Sequence, residues 1–264
     1  MRLHLMFVAV VTALPLAACA PTVQQEIQIG NQYAAEIDRS MPIVKDPAVT
    51  AALDRVVAPL RTVARRDLAW TFNIVNSDQV NAFAVPGGHI YVFRGLIERT
   101  THYDELAGVI AHEIGHVDLR HSAEQMGQAN AANTGVGLVY AILGRQPGAG
   151  EQVALNVAAG AVFAKFSRDD EREADSVAVG YVTAAGINPG GLPRMFEILQ
   201  SLNDREPGKV EQWFASHPMT GERITNVNRI IGKTPGATRA LTTGKTDDPA
   251  FTELQRLVKG LPKE

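Results

Sequence analysis

His112-Glu113-Ile114-Gly115-His116 closes an apolar run that begins at Leu106. Its two histidines are four positions apart, so on a helix they share one face, about 40° apart around the axis and one turn along it, and both imidazoles reach one ion. Glu113 lies beside them, where a carboxylate can accept a proton from metal-bound water. Leu106, Val109 and Ile110 make the preceding turns apolar, which predicts that the histidines enter a buried site and not a solvated face. A catalytic metal needs a third protein ligand and one position left open for water.

The search for that ligand leads to Ser167-Arg168-Asp169-Asp170-Glu171-Arg172-Glu173-Ala174-Asp175, a charged helix start. Glu171 and Asp175 are again four apart, so they point into one site with different roles. Glu171 is expected to ligate the ion, and Asp175 to accept a hydrogen bond from the outer nitrogen of a ligand histidine and fix its tautomer. Asp169, Asp170, Arg172 and Glu173 read as solvated. His121, five residues past His116, is expected to turn away from the ligand face as a helix-end histidine. His4, His89 and His102 fall in no pattern.

One cysteine among 264 residues excludes an internal disulfide and a cysteine-rich zinc site, which leaves the metal to histidine and glutamate. The chain is 45% hydrophobic and 20% charged with a net charge of −3, so it offers no basic field for phosphate backbones and nucleic-acid binding is disfavoured. The cysteine is Cys19. Arg2 and His4 precede the apolar run Leu5–Leu16, which is shorter than the roughly 20 residues that span a bilayer. Leu16-Ala17-Ala18-Cys19 resembles the bacterial lipobox, which is cut before the cysteine and acylated on it; a plain secretory signal is the alternative. Residues 1–18 are thus expected to be a signal peptide and residues 19–25 a lipidated tether. By likeness to bacterial lipoproteins, Ala20 in place of aspartate points to the outer membrane. Acyl chains at about 0.8 kcal/mol per buried CH₂ hold a soluble domain to a membrane surface.

The remaining periodicities predict a helix over 26–40, a second from an Asp46-Pro47 cap through Arg65, and strands over 70–75, 80–85 and 89–93 with a turn at Pro86-Gly87-Gly88. From Asp104 onward the pattern is helical: 104–121, a run over 151–185 that breaks near Ser167, 192–203 and 221–231. The apolar stretches 134–144 and 153–166 are interrupted or flanked by polar residues and read as buried helices or a cover over a cleft, not membrane spans. Residues 232–264 read as a loosely ordered tail with a short helix near 251–258.

Asn81-Ala82-Phe83-Ala84-Val85-Pro86-Gly87-Gly88, then HEIGH, then SRDDEREAD, taken in this order, resembles the HtpX and CAAX prenyl protease family of zinc metallopeptidases, and within it the periplasmic lipoprotein members. The resemblance spans residues 26–231 and implies an α+β, mainly α, gluzincin-type fold with a small antiparallel sheet packed on the HExxH helix. It implies one Zn²⁺ held by His112, His116 and Glu171, with Glu113 as general base. His217, in Ala215-Ser216-His217-Pro218-Met219, matches a histidine that approaches the metal in relatives, which implies either an inhibitory fourth ligand or a transition-state donor; a structural loop histidine is the alternative. Arg223, one turn into the next helix, is a candidate partner for an acid near the site. The strand before the Gly-Gly turn borders the cleft in this family, so Asn81 and Ala82 are expected to meet substrate; a turn-forming Asn81 is an equal alternative.

The function implied is a periplasmic, lipid-anchored zinc metalloendopeptidase that cleaves misfolded or stalled envelope proteins, working at the outer membrane with an unidentified assembly-machinery partner. A non-hydrolytic chaperone or assembly factor with a structural or self-inhibited zinc is the competing class. A murein-directed zinc hydrolase fits the motifs less well.

Overall fold

The computed structural model describes residues 21–125, 165–219 and 221–262. The signal peptide, Cys19 and the apolar stretches 134–144 and 153–164 lie outside the described residues.

Helix α1 (Val23–Ser40) starts ahead of the expected tether boundary because Thr22 caps it, with Gln25 completing a capping box. Helix α2 (Pro47–Arg61) starts as expected: Asp46 Oδ1 accepts from the backbone N–H of Ala48 at 2.8 Å and of Val49 at 3.2 Å. Three strands follow, β1 (Thr71–Val75), β2 (Ala82–Val85) and β3 (His89–Phe93), in the spatial order β1-β3-β2. Gly87 and Gly88, at φ 88° and 100°, supply the left-handed turn between β2 and β3.

The sheet is mixed, which corrects the expected antiparallel arrangement. β2 pairs antiparallel with β3, but β1 pairs with β3 in parallel. Alternation of apolar residues identifies a strand without identifying its neighbour. Here β3 inserts between β1 and β2, which run in opposite directions, so β3 must match one and oppose the other. One face of the sheet, with Phe72, Ile74, Ala82, Ala84, Ile90 and Val92, joins the main core. The other, with Val75, Phe83, Val85, Tyr91 and Phe93, packs against Ile37 and Tyr33 of α1. Among the described residues, β2 lies at one side of the sheet.

After the short α3 (Arg94–Arg99), helix α4 (Tyr103–Asp118) is buried on every side from Tyr103 to Val117. A helix enclosed all round is a core element, and α4 is wrapped by β2, α2, α5 (Arg168–Ala184) and α6 (Gly191–Arg205). Two helices not foreseen in the sequence complete this half: α7 (Pro207–Ser216), whose Trp213 is fully buried, and α9 (Ala237–Thr243). Between them lies α8 (Glu222–Lys233).

The short helix expected near 251–258 is present, but the residues around it are not a loose tail. Helix α10 (Pro249–Lys259) lays Phe251, Leu254 and Val258 into the main core against α2 and α3, and Gln255 Nε2 donates to the carbonyls of Ile97 at 2.9 Å and Thr100 at 2.7 Å. The spacing of the three apolar residues is that of one buried helical face. Polar residues over 242–248 hide that face from a reading of local composition.

Candidate metal centre

Helix α4 carries His112, Glu113 and His116 to the interior, where His112 and His116 are 0% exposed and Glu113 is 1% exposed. Their Nε2 atoms converge to 3.0 Å. Helix α5, opened by a Ser167–Asp170 capping box, brings Glu171 to them, with Oε1 3.4 Å from His116 Nε2 and Oε2 3.7 Å from His112 Nε2. Gly115 makes the approach of these two helices possible. A Cβ there would stand 3.2 Å from the Ala174 carbonyl oxygen and 3.3 Å from its Cα, and Ala174 lies between Glu171 and Asp175.

The fourth group comes from the end of α7. His217 is its C-cap, its N–H donating to the Trp213 carbonyl at 2.8 Å, and its ring stacks on Trp213 with centroids 4.5 Å apart. His217 Nδ1 thereby lies 2.9 Å from Glu171 Oε1 and 3.5 Å from His112 Nε2. One ligand atom from each of His112, His116, Glu171 and His217 falls within 4.8 Å of the others, and all four side chains are buried. The His217 ring thus lies within the buried group of side chains that could hold a metal ion.

The next layer holds these rings. Asp175 Oδ1 lies 3.0 Å from His112 Nδ1, in ion-pair range though off the ring's N–H axis. Arg223 grips Asp175 through Nε at 3.0 Å and Nη2 at 2.7 Å, and its Nη1 lies 2.5 Å from Glu171 Oε2 without aligning as a hydrogen bond. Its guanidinium lies 4.3 Å from the ring centroid of Phe196. The acid partner expected for Arg223 is therefore present twice. His116 stacks on Phe166 at 3.8 Å. His121 departs from the expectation: it is 3% exposed, and its Nδ1 is 2.9 Å from His116 Nδ1. Helical geometry would turn it away, but the helix ends at Asp118 and Arg120 adopts φ 63°, which swings His121 back beneath the ligand ring. No sequence signal marks that turn.

Burial and charge set the states of these groups. Burial pushes the Glu113 carboxyl above the usual carboxylate range, against the pull of His217 and His112. Burial would do the same to Glu171, but His217 and Arg223 outweigh it and hold that carboxyl well below the usual range. Burial drives His116 well below the ordinary imidazole value, which leaves it neutral with a lone pair to give. For His217 burial lowers the value, yet the carboxylates of Glu171 and Glu113 prevail and raise it.

These residues fit a zinc ion. Nitrogen and carboxylate oxygen are its common donors, and both Glu113 oxygens are buried without a hydrogen-bond partner. A buried carboxylate oxygen without a partner is costly, and a cation beside it removes that cost.

A cleft of about 350 Å³ leads to this group, lined by Asn81, Phe83 and Ala84 of the β2 side, by Glu113 and by Phe166 and His217. Asn81 reaches it: its Nδ2 donates to Gln212 Oε1 at 3.4 Å, and its Oδ1 has no partner. Ala82 does not line the cleft. The whole residue is 0% exposed, within the main core.

A buried helix carrying HExxH, a glutamate from the following helix and a strand bordering the cleft define a zinc metallopeptidase of gluzincin type. The chain belongs to peptidase family M48, whose pattern matches residues 45–231. It is similar to the beta-barrel assembly-enhancing protease of Yersinia pestis, 32% identical over 222 residues that cover 80% of this chain and 44% of the relative. It is similar also to metalloprotease YcaL of Escherichia coli, 29% identical over 77% of this chain and 78% of the relative. Metalloprotease LoiP of Escherichia coli is 34% identical over 59% of this chain and 60% of its own. The chain spans less than half the length of the beta-barrel assembly-enhancing proteases it matches. No described helix is long and apolar enough to cross a membrane.

Proposed function

We propose that this protein is a lipid-anchored zinc endopeptidase of the bacterial periplasm, held to the outer membrane through Cys19, that cleaves exposed segments of misfolded or stalled envelope proteins. The observation that carries the reading is the buried His112–His116–Glu171–His217 group at the end of a cleft bordered by a strand. Zinc bound there supplies a Lewis acid for the scissile carbonyl and acidifies its water.

His112, His116 and Glu171 would hold the ion, and Asp175, itself gripped by Arg223, would steady the His112 ring. Glu113 takes the proton of the attacking water and delivers it to the leaving amine. The β2 side of the cleft offers Asn81, Phe83 and Ala84 to an extended substrate, and backbone pairing there would require no particular side chains and so suit an unfolded segment. The lipobox-like Leu16–Cys19 supports the anchor, and a relative named for enhancing beta-barrel assembly supports the envelope as the workplace.

Glu113→Gln is the test. The variant should keep one zinc per chain and lose cleavage of an unfolded protein such as casein by roughly 100-fold or more, the scale of a general base. Full activity in that variant would refute the assignment.

The position of His217 favours a second reading, a chaperone or assembly factor whose zinc is self-inhibited, because a fourth side chain, an imidazole, joins the group that would hold the ion. The two part on whether the Glu113→Gln protein complements loss of the gene. Complementation would favour the non-hydrolytic role.

A further inference from the structure

His116 and His121 face each other through their Nδ1 atoms at 2.9 Å, both buried. Only one hydrogen can lie between two nitrogens so placed. The opposite nitrogen of His116, Nε2, is the one on which His112 Nε2 and Glu171 Oε1 converge, at 3.0 and 3.4 Å. A neutral imidazole whose Nε2 gives its lone pair to a metal carries its proton on Nδ1. His121 Nδ1 must then be the acceptor, and the proton of His121 sits on Nε2, which faces Glu173 Oε2 at 3.6 Å.

We propose that His121 is the positioning residue of His116: it accepts the Nδ1–H of that ring and so fixes both its tautomer and its orientation toward the metal. The inference rests on His116 being a zinc ligand. It gives the two ligand histidines unlike outer partners, a carboxylate at His112 and an imidazole nitrogen at His116.

The backbone that delivers His121 is held in place from a distance. Arg120 is the one non-glycine residue at positive φ among the described residues. Such a conformation persists where its surroundings impose it. Arg120 Nε donates to Glu26 Oε2 at 2.8 Å, and its Nη2 donates to the Pro21 carbonyl. Arg66 holds the same Glu26 through Nη1 at 2.6 Å and also donates to the Val117 carbonyl at 2.8 Å. The first turn of α1 is thus clamped to the end of the metal-binding helix, and His121 is the residue the clamp presents.

The test uses the full zinc-loaded chain with His121→Phe, His121→Asn and His116→Ala. Chelator competition should find zinc held 10- to 100-fold more weakly in His121→Phe. His121→Asn, which keeps an acceptor oxygen near the same place, should recover most of that loss. Imidazole ¹⁵N spectra of the wild type should report a proton on His116 Nδ1 with a neighbour accepting it, a signal that His121→Phe shifts. Two outcomes overturn the proposal and leave the metal site standing: wild-type affinity in His121→Phe while His116→Ala loses zinc, or an Asn variant no better than the Phe variant. Stoichiometric zinc in His116→Ala would instead overturn the ligand assignment beneath it. If His121→Phe does not fold, the wild-type spectrum decides, and a bare Nδ1 on His116 sinks the proposal.

Discussion

Arg223 takes its charge into the interior at 3% exposure, where it meets Asp175 and Glu171. Removing one partner of such a group leaves uncompensated charge in a poorly solvated place, which costs about 3–5 kcal/mol. Arg223→Met should therefore lower unfolding stability by about that much in chemical denaturation, and weaken zinc as well, since Asp175 loses its support. A loss below about 1 kcal/mol would mean that the ion pair is not buried in solution. His217 makes the opposite kind of prediction. Three ligands remain after His217→Ala, so the variant should keep one zinc per chain and, with the water's position cleared, cleave casein several-fold faster than wild type. A fall to the level of Glu113→Gln would assign His217 to transition-state support instead. Both residues stood in the sequence as candidates, but only their packed positions, Arg223 against Phe196 and His217 against Trp213, give them geometry.

Helices α4 and α5 cross where Gly115 meets Ala174, and the centre depends on that closeness. A branched side chain at 115 must push α5 away, and overpacking of this kind costs about 1–3 kcal/mol. Gly115→Val is thus expected to lower the melting temperature and the bound zinc together, because Glu171 and Asp175 flank the contact. Full zinc content with an unchanged melting temperature would show that the helices tolerate separation. The helices that build the centre were foreseeable: HEIGH within an apolar run, and the charged start Ser167–Asp175 with its two acids four apart. Helix α7, which delivers His217 and Trp213, was not, since only Val210 and Trp213 are buried in it and so short an apolar face gives no periodic signal.

The whole molecule is closed by its C-terminal end. Phe251, Leu254 and Val258 of α10 pack on α2 and α3, far along the chain from the metal ligands yet within one continuous core. Leu254→Ala should cost about 2–5 kcal/mol in denaturant unfolding, and a change below about 1 kcal/mol would make α10 peripheral. The sequence by itself determined the candidate site: the pair of histidines one turn apart, the glutamate between them, and the acid pair on a second helix follow from helical spacing, a local property that every residue carries with it. It determined the strands too, since alternation is equally local, but not that β3 would run parallel to β1. The tertiary structure alone decided the sheet order, the arrival of His217 in the ligand group, and the return of His121 beneath His116 through the left-handed turn at Arg120. These depend on contacts between residues distant in sequence, such as Glu26 with Arg120, and local pattern holds no record of them.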